Sequence, residues 1–456
     1  MYKLTTCISI VLLSCWGTVQ GQESLSLADA VSLGLSNNYD IGIQDKRVEQ
    51  AELNNSMGEA GFLPSITLSA NPSYNRQNTV KTPFPTQTSG VSVQNVLDPT
   101  LGLNWVLFDG FRAHMNKKRL EELQRETEGN ASIVIANTLE SILLAYYKAV
   151  LEKERLEVFQ ENLKLSRERY KLAQLKLELG SSATTDLLLD EGNYLADSAN
   201  LISQELSYRN AIRTLNFVLA VPDPNKEWNL TDPLAVDALV YDYEALQNKM
   251  LSNNTDLRKQ YIHQAVLQQE MHVAQAGRYP TLSLNANNNN RYQWFDLSNA
   301  TFFTGNGFAT GPEEILSGES RNLTVGLNLT FNLFNGGKIK RAIQRTMIEQ
   351  NIGQVETDKL RASLSKDLAQ SYDQYTIRRS LYGINQRKQD AAETNLEISA
   401  SRYDQGTINT FDYRTVQISL LQANIDELQS VYNLLESKVA IMRLTGGLLE
   451  EYQTAQ

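Results

Sequence analysis

In the stretch Leu323–Phe334, residues 323–333 alternate strictly between apolar and small polar side chains. Successive side chains of a strand point to opposite faces, so one face here carries only Leu, Val and Phe, and the other only Thr, Asn and Gly. A strand of about 11 residues with one apolar face fits a bilayer crossing in which water lies behind the strand. Asn335–Gly337 ends the pattern, and no proline follows Pro312. The pattern predicts a membrane strand that leads into a very long helix.

The first residues indicate export from the cytoplasm. A lysine and the mostly apolar run Leu4–Val19 precede small residues ending at Gly21, which predicts a secretory signal at residues 1–21. The apolar core is shorter than the roughly 20 residues that an anchor needs. Alternatively, Leu12–Cys15 resembles a lipoprotein cleavage box, which would leave an acylated Cys15. Cys7 and Cys15 are the two cysteines of the sequence, so the mature chain is expected to have no disulfide.

The charge balance and hydropathy narrow the possible partners. The chain has 42 Lys and Arg against 52 Asp and Glu, a net charge of −10. An acidic chain binds phosphates poorly, so we expect no nucleic acid partner. No segment after the signal has 18 consecutive apolar residues, so the sequence predicts no transmembrane helix. Export combined with alternating strands of bilayer length predicts the outer membrane of a Gram-negative bacterium, with lipid as a partner.

The sequence contains an internal repeat of one structural unit. Ser36–Asp40 returns as Ser252–Asp256, and Gly61–Ser65 is matched by Gly277–Thr281 at the same offset of 216 positions. After the strands the offset becomes 226, which pairs the motif ending at Gly110 with the motif ending at Gly336. A fixed offset over many motifs indicates an internal repeat.

Each repeat is predicted to contain a short helix, a β-hairpin and a long helical hairpin. We divide the chain into a signal (1–21), repeat 1 (22–221), a linker (222–241), repeat 2 (242–447) and a polar tail (448–456). The β-hairpins are placed at 66–108 and 281–334, with loops at 77–100 and 295–322, and the helical hairpins turn near Gly180 and Gly406. The first long helix has about 70 residues and would span roughly 105 Å, so it must pack lengthwise against other helices.

Four membrane strands per chain cannot form a closed barrel. Unpaired strand edges are prohibitive in lipid, and the smallest closed bacterial barrels have eight strands. The hydrogen-bond requirement therefore predicts an oligomer in which each chain contributes four strands.

The ordered set of motifs resembles the TolC family of outer-membrane channels. The set comprises the signal, the duplicated G-x-x-P turn, strand, loop and strand, the F-[DN]-G motif, and the helical hairpin with a tip glycine. The resemblance implies an α+β homotrimer with a shared 12-stranded β-barrel and a long periplasmic α-helical barrel. It implies the exit duct of a tripartite efflux pump or type I secretion system, with a periplasmic adaptor and an inner-membrane RND or ABC pump as partners. It implies no enzyme activity and no cofactor. The three histidines are scattered, so no metal site is expected.

The resemblance also assigns residues at the periplasmic end. Asp412 takes the position of the first acidic ring that constricts the pore entrance, whereas Thr415 replaces the second acidic residue of the family. Tyr403, Thr185 and Asp186 fit the contacts that hold the two hairpins closed, although Ile408 replaces the family's arginine. Asp412 is alternatively an ordinary solvated carboxylate in a first helical turn.

Two further groups complete the predicted sites. The tips that would dock an adaptor comprise Leu179, Gly180, Ser181, Gly406 and Thr407. Trp105, Tyr292 and Trp294 lie near strand ends, where aromatic residues form the girdles of membrane barrels, although core positions are the alternative. A periplasmic coiled-coil adaptor is the alternative function; it accounts for the helices and leaves the alternating strands unexplained.

The two faces of the strand predict opposite responses to charge. Leu327→Arg should impair membrane assembly, because a charge on the lipid side of a barrel costs about 2–4 kcal/mol at mid-membrane. Asn328→Asp should be tolerated on the water side. Folded protein recovered from outer-membrane fractions measures both. Equal recovery of the two variants would show that the faces are assigned wrongly.

Overall fold

A computed structural model describes residues 23–80 and 88–453, so the predicted signal lies outside the described residues. The helices are α1 (Leu27–Asn37), α2 (Tyr39–Asn54), α3 (Met57–Ala60), α4 (Arg112–Glu178), α5 (Thr184–Val218), α6 (Tyr243–Asn253), α7 (Thr255–Ala276), α8 (Lys338–Asp404), α9 (Thr410–Leu444) and α10 (Gly447–Gln453). The strands are β1 (Glu23–Leu25), β2 (Ser65–Ala70), β3 (Ser73–Thr79), β4 (Thr88–Leu97), β5 (Pro99–Phe108), β6 (Trp228–Leu230), β7 (Thr281–Phe303), β8 (Phe308–Thr310) and β9 (Leu316–Thr330).

The helix lengths repeat between the two halves of the sequence. Helices α4 and α8 have 67 residues each, and α5 and α9 have 35 residues each. The chain divides into two compact units, which we call the helical unit (1–43, 132–254 and 363–456) and the strand unit (44–131 and 255–362).

The strand unit contains one antiparallel sheet built from four long stretches of chain. Strand β7 pairs with β5 and β4 in succession along one side and with β9 and β8 along the other. On their edges away from β7, β5 pairs with β2 and β4 pairs with β3. Pro72 and Pro99 lie at the breaks between β2 and β3 and between β4 and β5, as expected for a residue that cannot donate to a ladder. The four stretches run in the order β2–β3, β4–β5, β7 and β8–β9.

The register places the apolar residues of neighbouring strands side by side. Leu284 of β7 lies opposite Trp105 of β5 and opposite Leu327 of β9. Leu327 is 68% exposed in the single chain. Asn285 and Asn328 occupy the alternate positions, so the two faces differ in polarity across adjacent strands. The predicted apolar face therefore belongs to a sheet, and no other described part of the chain covers that face.

Two features of the strands differ from the sequence expectations. The loops predicted at 77–100 and 295–322 are wrong for most of their length, because β4 and the outer parts of β7 and β9 occupy them. These strands carry Ser, Thr, Asn and Gln on both faces, which removes the alternation that reveals a strand. Strand β9 also ends at Thr330, earlier than the predicted end at Phe334. Residues 81–87 of the first loop lie outside the described residues.

The core of the helical unit surrounds the middle of α4. Leu139, Ile142 and Tyr146 are fully buried there, together with residues of α5, α9 and the short β1–β6 pair. Helix α4 contains a window long and apolar enough to cross a membrane, but half of that window is buried within the protein. A core helix passes the same test, so packing accounts for its apolar composition. The tail predicted only as polar forms α10, and its Leu448 joins the core.

Equivalent residues of the two repeats make equivalent contacts in the helical unit. The Asn38 amide donates to the carbonyl of Val218 at 2.9 Å, and the Asn254 amide donates to the carbonyl of Leu444 at 2.9 Å. Each bond joins the end of a short helix to the end of a long helical hairpin. Because each member shifts by the offset of its own segment, 216 positions before the strands and 226 after them, the duplication is preserved in the packing as well as in the sequence.

Candidate functional site

The two helical hairpins turn through the same backbone motif. At the first tip, the amide of Ser181 donates to the carbonyl of Lys176 at 2.9 Å. At the second, the amide of Thr407 donates to the carbonyl of Arg402 at 2.9 Å. Gly180 and Gly406 take φ values of +70° and +72°, in the left-handed region that a helix C-terminus needs, and both face open space. The tips are therefore small and sterically open.

The side chains at the tips are those of Leu179 and Ser181 at the first turn and Thr407 at the second. Leu179 is 72% exposed, which leaves an apolar side chain at the first turn. Ser181 and Thr407 each direct their hydroxyl back to the same carbonyl that caps the helix, at 3.0 and 2.9 Å. These hydroxyls are satisfied within the chain, so the exposed apolar residue and the glycine backbone form the surface at the tip.

Asp412 and Thr415 are exposed on successive turns at the start of α9. The amide of Asp412 donates to the Asn409 side chain at 2.8 Å, which caps the helix, and its carboxylate is exposed. Thr415 follows one turn later, and its hydroxyl donates to the carbonyl of Phe411 at 3.0 Å. A carboxylate at a helix N-terminus is stabilised by the helix dipole and stays available to solvent or ions.

The first hairpin begins its return helix differently. Ala183 takes the N-cap position of α5, which Asn409 takes in α9, and it provides no side-chain cap. Thr185 and Asp186 are exposed in the first turn, and the Ser182 hydroxyl donates to the Asp186 carboxylate at 3.0 Å. The two hairpins therefore turn with the same backbone conformation but differ in the side chains that cap their second helix.

A buried ion pair joins the two hairpins above the tips. Arg414 of α9 donates two hydrogen bonds to the Asp197 carboxylate of α5, at 2.7 and 2.8 Å. Asp197 is only 2% exposed, and it also accepts from the Ser166 hydroxyl of α4. Removing charges from water is costly, and a bidentate arginine with a further hydrogen bond is the geometry that offsets this cost.

A second arginine lies nearer to the tips. Arg169 of α4 donates to the Asp190 carboxylate at 3.1 Å and to the carbonyl of Thr410 in α9 at 3.3 Å. Its guanidinium also lies over the Tyr413 ring, 4.7 Å from the centroid, and over the Tyr403 ring at 5.2 Å. Burial raises the pKa of the Asp190 carboxyl despite the neighbouring guanidinium groups of Arg169 and Arg414.

These contacts place the predicted closed-state residues. Tyr403 contacts the first hairpin through the cations of Arg169 and Lys176, and its ring stacks on Tyr413. In this structure the Asp186 carboxylate accepts from Ser182 of its own hairpin, and the Tyr403 hydroxyl lies 3.4 Å from the Thr410 hydroxyl of its own hairpin. The role of Tyr403, Thr185 and Asp186 in closure stays a prediction.

The sequence expectations missed the two arginines and their aspartates. Buried residues of α5 recur every seven positions, at Asp190, Asp197, Gln204 and Ala211. A seven-residue spacing marks the core seam of a coiled coil, and polar residues on that seam need buried partners. This spacing was available in the sequence as a signal, whereas the identity of the partners was not.

The aromatic residues of the sheet lie at two levels. Trp105 lies opposite Leu284, and Tyr292 and Trp294 follow on the same face of β7, eight and ten residues farther along. At 3.3 Å per residue these separations are about 27 and 33 Å along the strand. A strand tilt of 35–45° reduces them to roughly 20–25 Å, close to the height of the lipid-facing band of an outer-membrane barrel. The spacing suits the two predicted girdles.

The described residues contain no arrangement that suggests a metal centre. Within residues 23–80 and 88–453, no group of three or more His, Cys, Asp or Glu side chains could hold a metal ion. The candidate site presents the exposed carboxylate of Asp412 and the buried ion pairs of Arg169 and Arg414.

Comparison with known proteins identifies the family. The sequence profile described as "Outer membrane efflux protein" matches residues 30–221 and 246–447, which is most of the chain. The chain belongs to the outer membrane efflux protein family.

Individual relatives of this family match over nearly the whole chain. The chain is 23% identical over 444 residues to the outer membrane efflux protein BepC of Brucella suis, covering 96% of this chain and 89% of BepC. It is 22% identical over 451 residues to the outer membrane protein TolC of Escherichia coli, covering 94% of this chain and 86% of TolC. The crystal structure of the Campylobacter jejuni CmeC outer membrane channel has a TM-score of 0.70 at 17% identity, covering 92% of this chain and 85% of CmeC.

Membership of the outer membrane efflux protein family confirms several expectations from the sequence. The TolC-like α+β fold, the outer-membrane location and the role of an exit duct for efflux or secretion are confirmed. The family's proteins are channels and not enzymes. A periplasmic adaptor is therefore excluded as the function.

Removing one partner of the Arg414–Asp197 ion pair should destabilise the protein, whereas removing both partners should have a much smaller effect. Arg414→Met leaves Asp197 buried without its cation, which should cost about 3–5 kcal/mol of unfolding free energy. Asp197→Leu should cost a similar amount, whereas the double variant should recover most of the loss. Helix unfolding followed by circular dichroism in denaturant measures all three.

Arg402→Met is the matched control, because Arg402 is exposed in the last turn of α8. Its effect should stay within about 0.5 kcal/mol. If Arg414→Met behaved like this control, the pair would not hold the two hairpins together.

Proposed function

We propose that three copies of the chain form one passive conduit. Their sheets make a shared 12-stranded barrel in the outer membrane, and their long helices make an α-helical barrel in the periplasm. The observation that carries this proposal is the sheet of the strand unit, which has an exposed apolar face and ends at β2–β3 on one side and β8–β9 on the other. Lipid cannot satisfy the backbone groups of such edges, so identical copies must supply the missing partners.

The width of the barrel supports three as the smallest number of copies that leaves a channel. Two copies would give eight strands, whose interior is filled by side chains or holds one small ligand. Three copies give 12 strands, the next closed assembly, and leave space for a channel. A closed ring of identical chains uses the same heterologous interface at every junction.

The outer helices of the helical unit provide matching surfaces for that interface. Helix α5 exposes an apolar seam at Leu188, Leu195, Ile202 and Leu206, and α8 exposes one at Ile377, Leu381, Ile384 and Ile398. Both seams have spacings of three, four or seven residues or their multiples, as in coiled coils. Counted from their tips, Leu188 and Ile398 lie at similar heights, as do Ile202 and Ile384. Rotational symmetry keeps equal heights together, so α5 of one copy can pack on α8 of the next.

We place the entrance constriction at Asp412, with Thr415 one turn above it. Three copies would bring three Asp412 carboxylates around a narrow mouth, which creates a negative potential that favours cations. Tyr403, held by Arg169 and Lys176, and Thr185 with Asp186 then contribute to closure. Opening requires the second hairpin to move relative to the first, so the buried pairs of Arg169 and Arg414 would have to break or move with it.

The conduit is proposed to work with a periplasmic adaptor and an inner-membrane pump of the RND or ABC class. The names of relatives support both kinds of system: BepC is an outer membrane efflux protein, and PrtF of Dickeya chrysanthemi is a proteases secretion protein. The open tips at Leu179, Gly180, Ser181, Gly406 and Thr407 are the proposed docking points. Their exposed apolar side chain and glycine backbone suit contact with another protein. The pump supplies the energy, and the conduit itself is passive.

The proposed interface predicts a crosslink between copies. In a chain carrying Ile202→Cys and Ile384→Cys, oxidation should produce covalent trimers, because the two residues lie at equal heights on facing helices. The cysteines of the natural sequence, Cys7 and Cys15, lie in the predicted signal and should not compete. Denaturing electrophoresis measures the product.

The matched control replaces Ile384→Cys by Gln429→Cys, a change on helix α9, which does not carry the proposed seam. This control should remain monomeric after oxidation. Monomers in both variants, or dimers as the end product of Ile202→Cys with Ile384→Cys, would contradict the trimer.

The position of Asp412 predicts an effect on conductance. Asp412→Ala should raise the single-channel conductance in planar bilayers and weaken block by multivalent cations, because three carboxylates leave the mouth. Glu178→Ala is the control, since it removes one exposed carboxylate per copy beside the first tip. Identical conductance and block in wild type and Asp412→Ala would remove Asp412 from the pore.

A further inference from the structure

A cavity of about 470 Å³ lies between helices α4, α8 and α9 of the helical unit. One part of its wall is apolar and includes Val158, Leu165, Leu420 and Leu421. Another part carries four carboxylates, Glu154, Glu157, Glu161 and Glu427. The cavity is large enough for a drug-sized molecule and combines an apolar body with one sign of charge.

Glu154 and Glu427 are half-buried, whereas Glu157 and Glu161 are exposed to solvent. Glu154 accepts one hydrogen bond, from the amide of Leu234 at 3.0 Å. Glu161 is paired with the exposed Lys164 at 3.3 Å. Burial raises the pKa of both Glu154 and Glu427, and the negative charge of Glu154 raises the pKa of Glu427 further. A cation inside the cavity would reverse these shifts by favouring the charged carboxylates.

Two deeply buried amide groups on the cavity wall have atoms without a partner. The Gln417 side chain donates to the Asn162 side-chain oxygen at 3.0 Å, and both residues are at most 5% exposed. This bond leaves the Asn162 Nδ2 donor and the Gln417 Oε1 acceptor without hydrogen bonds in the structure. Buried polar groups in native proteins are almost always satisfied, so an orphan donor and an orphan acceptor on one cavity wall point to a bound polar group.

We propose that this cavity binds an amphiphilic organic cation. The apolar body of the ligand would lie against the leucines, its positive charge would face Glu154 and Glu427, and an N–H of the ligand would reach Gln417 Oε1. A hydrogen-bond acceptor of the ligand would take the Asn162 donor. The proposal goes beyond conduction, because it gives the wall of the conduit a specific, reversible binding site.

The observations favour this ligand class over two simpler ones. A metal ion does not fit, since no metal-binding group of three or more acidic or His side chains forms among the described residues. A neutral apolar molecule would fill the leucine side but would leave the half-buried carboxylates of Glu154 and Glu427 and both orphan amide atoms without a partner. An organic cation with one donor and one acceptor satisfies all of them.

Rhodamine 6G is a suitable probe, because it combines an aromatic cation, N–H donors and an ester carbonyl. We expect it to bind the full-length protein in nanodiscs of zwitterionic lipid, with empty nanodiscs as background, and to show this by fluorescence anisotropy. Glu154→Gln combined with Glu427→Gln should raise the dissociation constant at least tenfold. Glutamine preserves the size of the side chain and the acceptor for Leu234, so folding should persist, and circular dichroism checks it.

The control pair is Glu168→Gln with Glu397→Gln, two exposed glutamates on α4 and α8 that do not line the cavity. This pair removes the same charge and should change the dissociation constant less than twofold. Equal weakening by both pairs would mean nonspecific attraction to an acidic surface and would overturn the site.

A variant that fills the cavity gives an independent test. Val158→Trp keeps every carboxylate and should also weaken rhodamine 6G binding at least tenfold, because the indole occupies the apolar side. Unchanged binding would place the dye elsewhere and reject the proposal. Equally tight binding of the neutral dye N-phenyl-1-naphthylamine, lost in Val158→Trp but unaffected by loss of Glu154 and Glu427, would reject the requirement for a cation.

Discussion

Backbone hydrogen bonding at the edges of the sheet constrains everything else in this protein. A strand in lipid must pair on both sides, because hydrocarbon offers neither donors nor acceptors. One chain provides four long stretches of strand in the order β2–β3, β4–β5, β7 and β8–β9, which leaves two edges. The proposed assembly, the interface along α5 and α8, and the single shared mouth all follow from the need to pair those edges.

The helical unit meets a different constraint, because its long helices are surrounded by water and by each other. Apolar residues supply the core around Tyr146, but the seam between the hairpins nearer the tips is polar. There Arg169 donates to the Asp190 carboxylate, and Arg414 donates two hydrogen bonds to the Asp197 carboxylate. Buried ion pairs contribute less to stability than well-packed apolar residues of the same volume. Their strict geometry instead fixes how one hairpin lies on the other.

Much of the architecture could be predicted from the sequence, because periodic residue patterns specify it. The alternation at Leu323 to Thr330 and the fixed repeat offsets located the membrane strands, the long helices and both tips. The strands that continue beyond the apolar band were missed, since segments such as Thr88–Leu97 carry polar residues on both faces. A strand with water on both faces closely resembles a loop in its amino-acid composition.

Less of the candidate site could be predicted from the sequence, for a different reason. The seven-residue spacing of Asp190 and Asp197 shows that both lie on a packed seam, but periodicity does not name a partner. Arg414 lies 217 positions from Asp197 along the chain, and only the fold brings the two together. The resemblance to known channels likewise placed Tyr403 among the contacts between the hairpins, but it could not indicate that the ring lies beside the cations of Arg169 and Lys176. Long-range pairs of this kind require coordinates.

The duplication has a consequence for symmetry. Asn409 caps α9, but Ala183 stands at the matching position of α5, so two copies of one ancestral hairpin have diverged within a single polypeptide. A ring built from six separate half-length chains would be restricted to sixfold equivalence, with every hairpin obliged to behave alike. In the proposed trimer, covalent fusion of the halves would lower that equivalence to threefold. Alternate hairpins could then specialise, one set as a fixed frame and the other as the moving parts, without any second gene product.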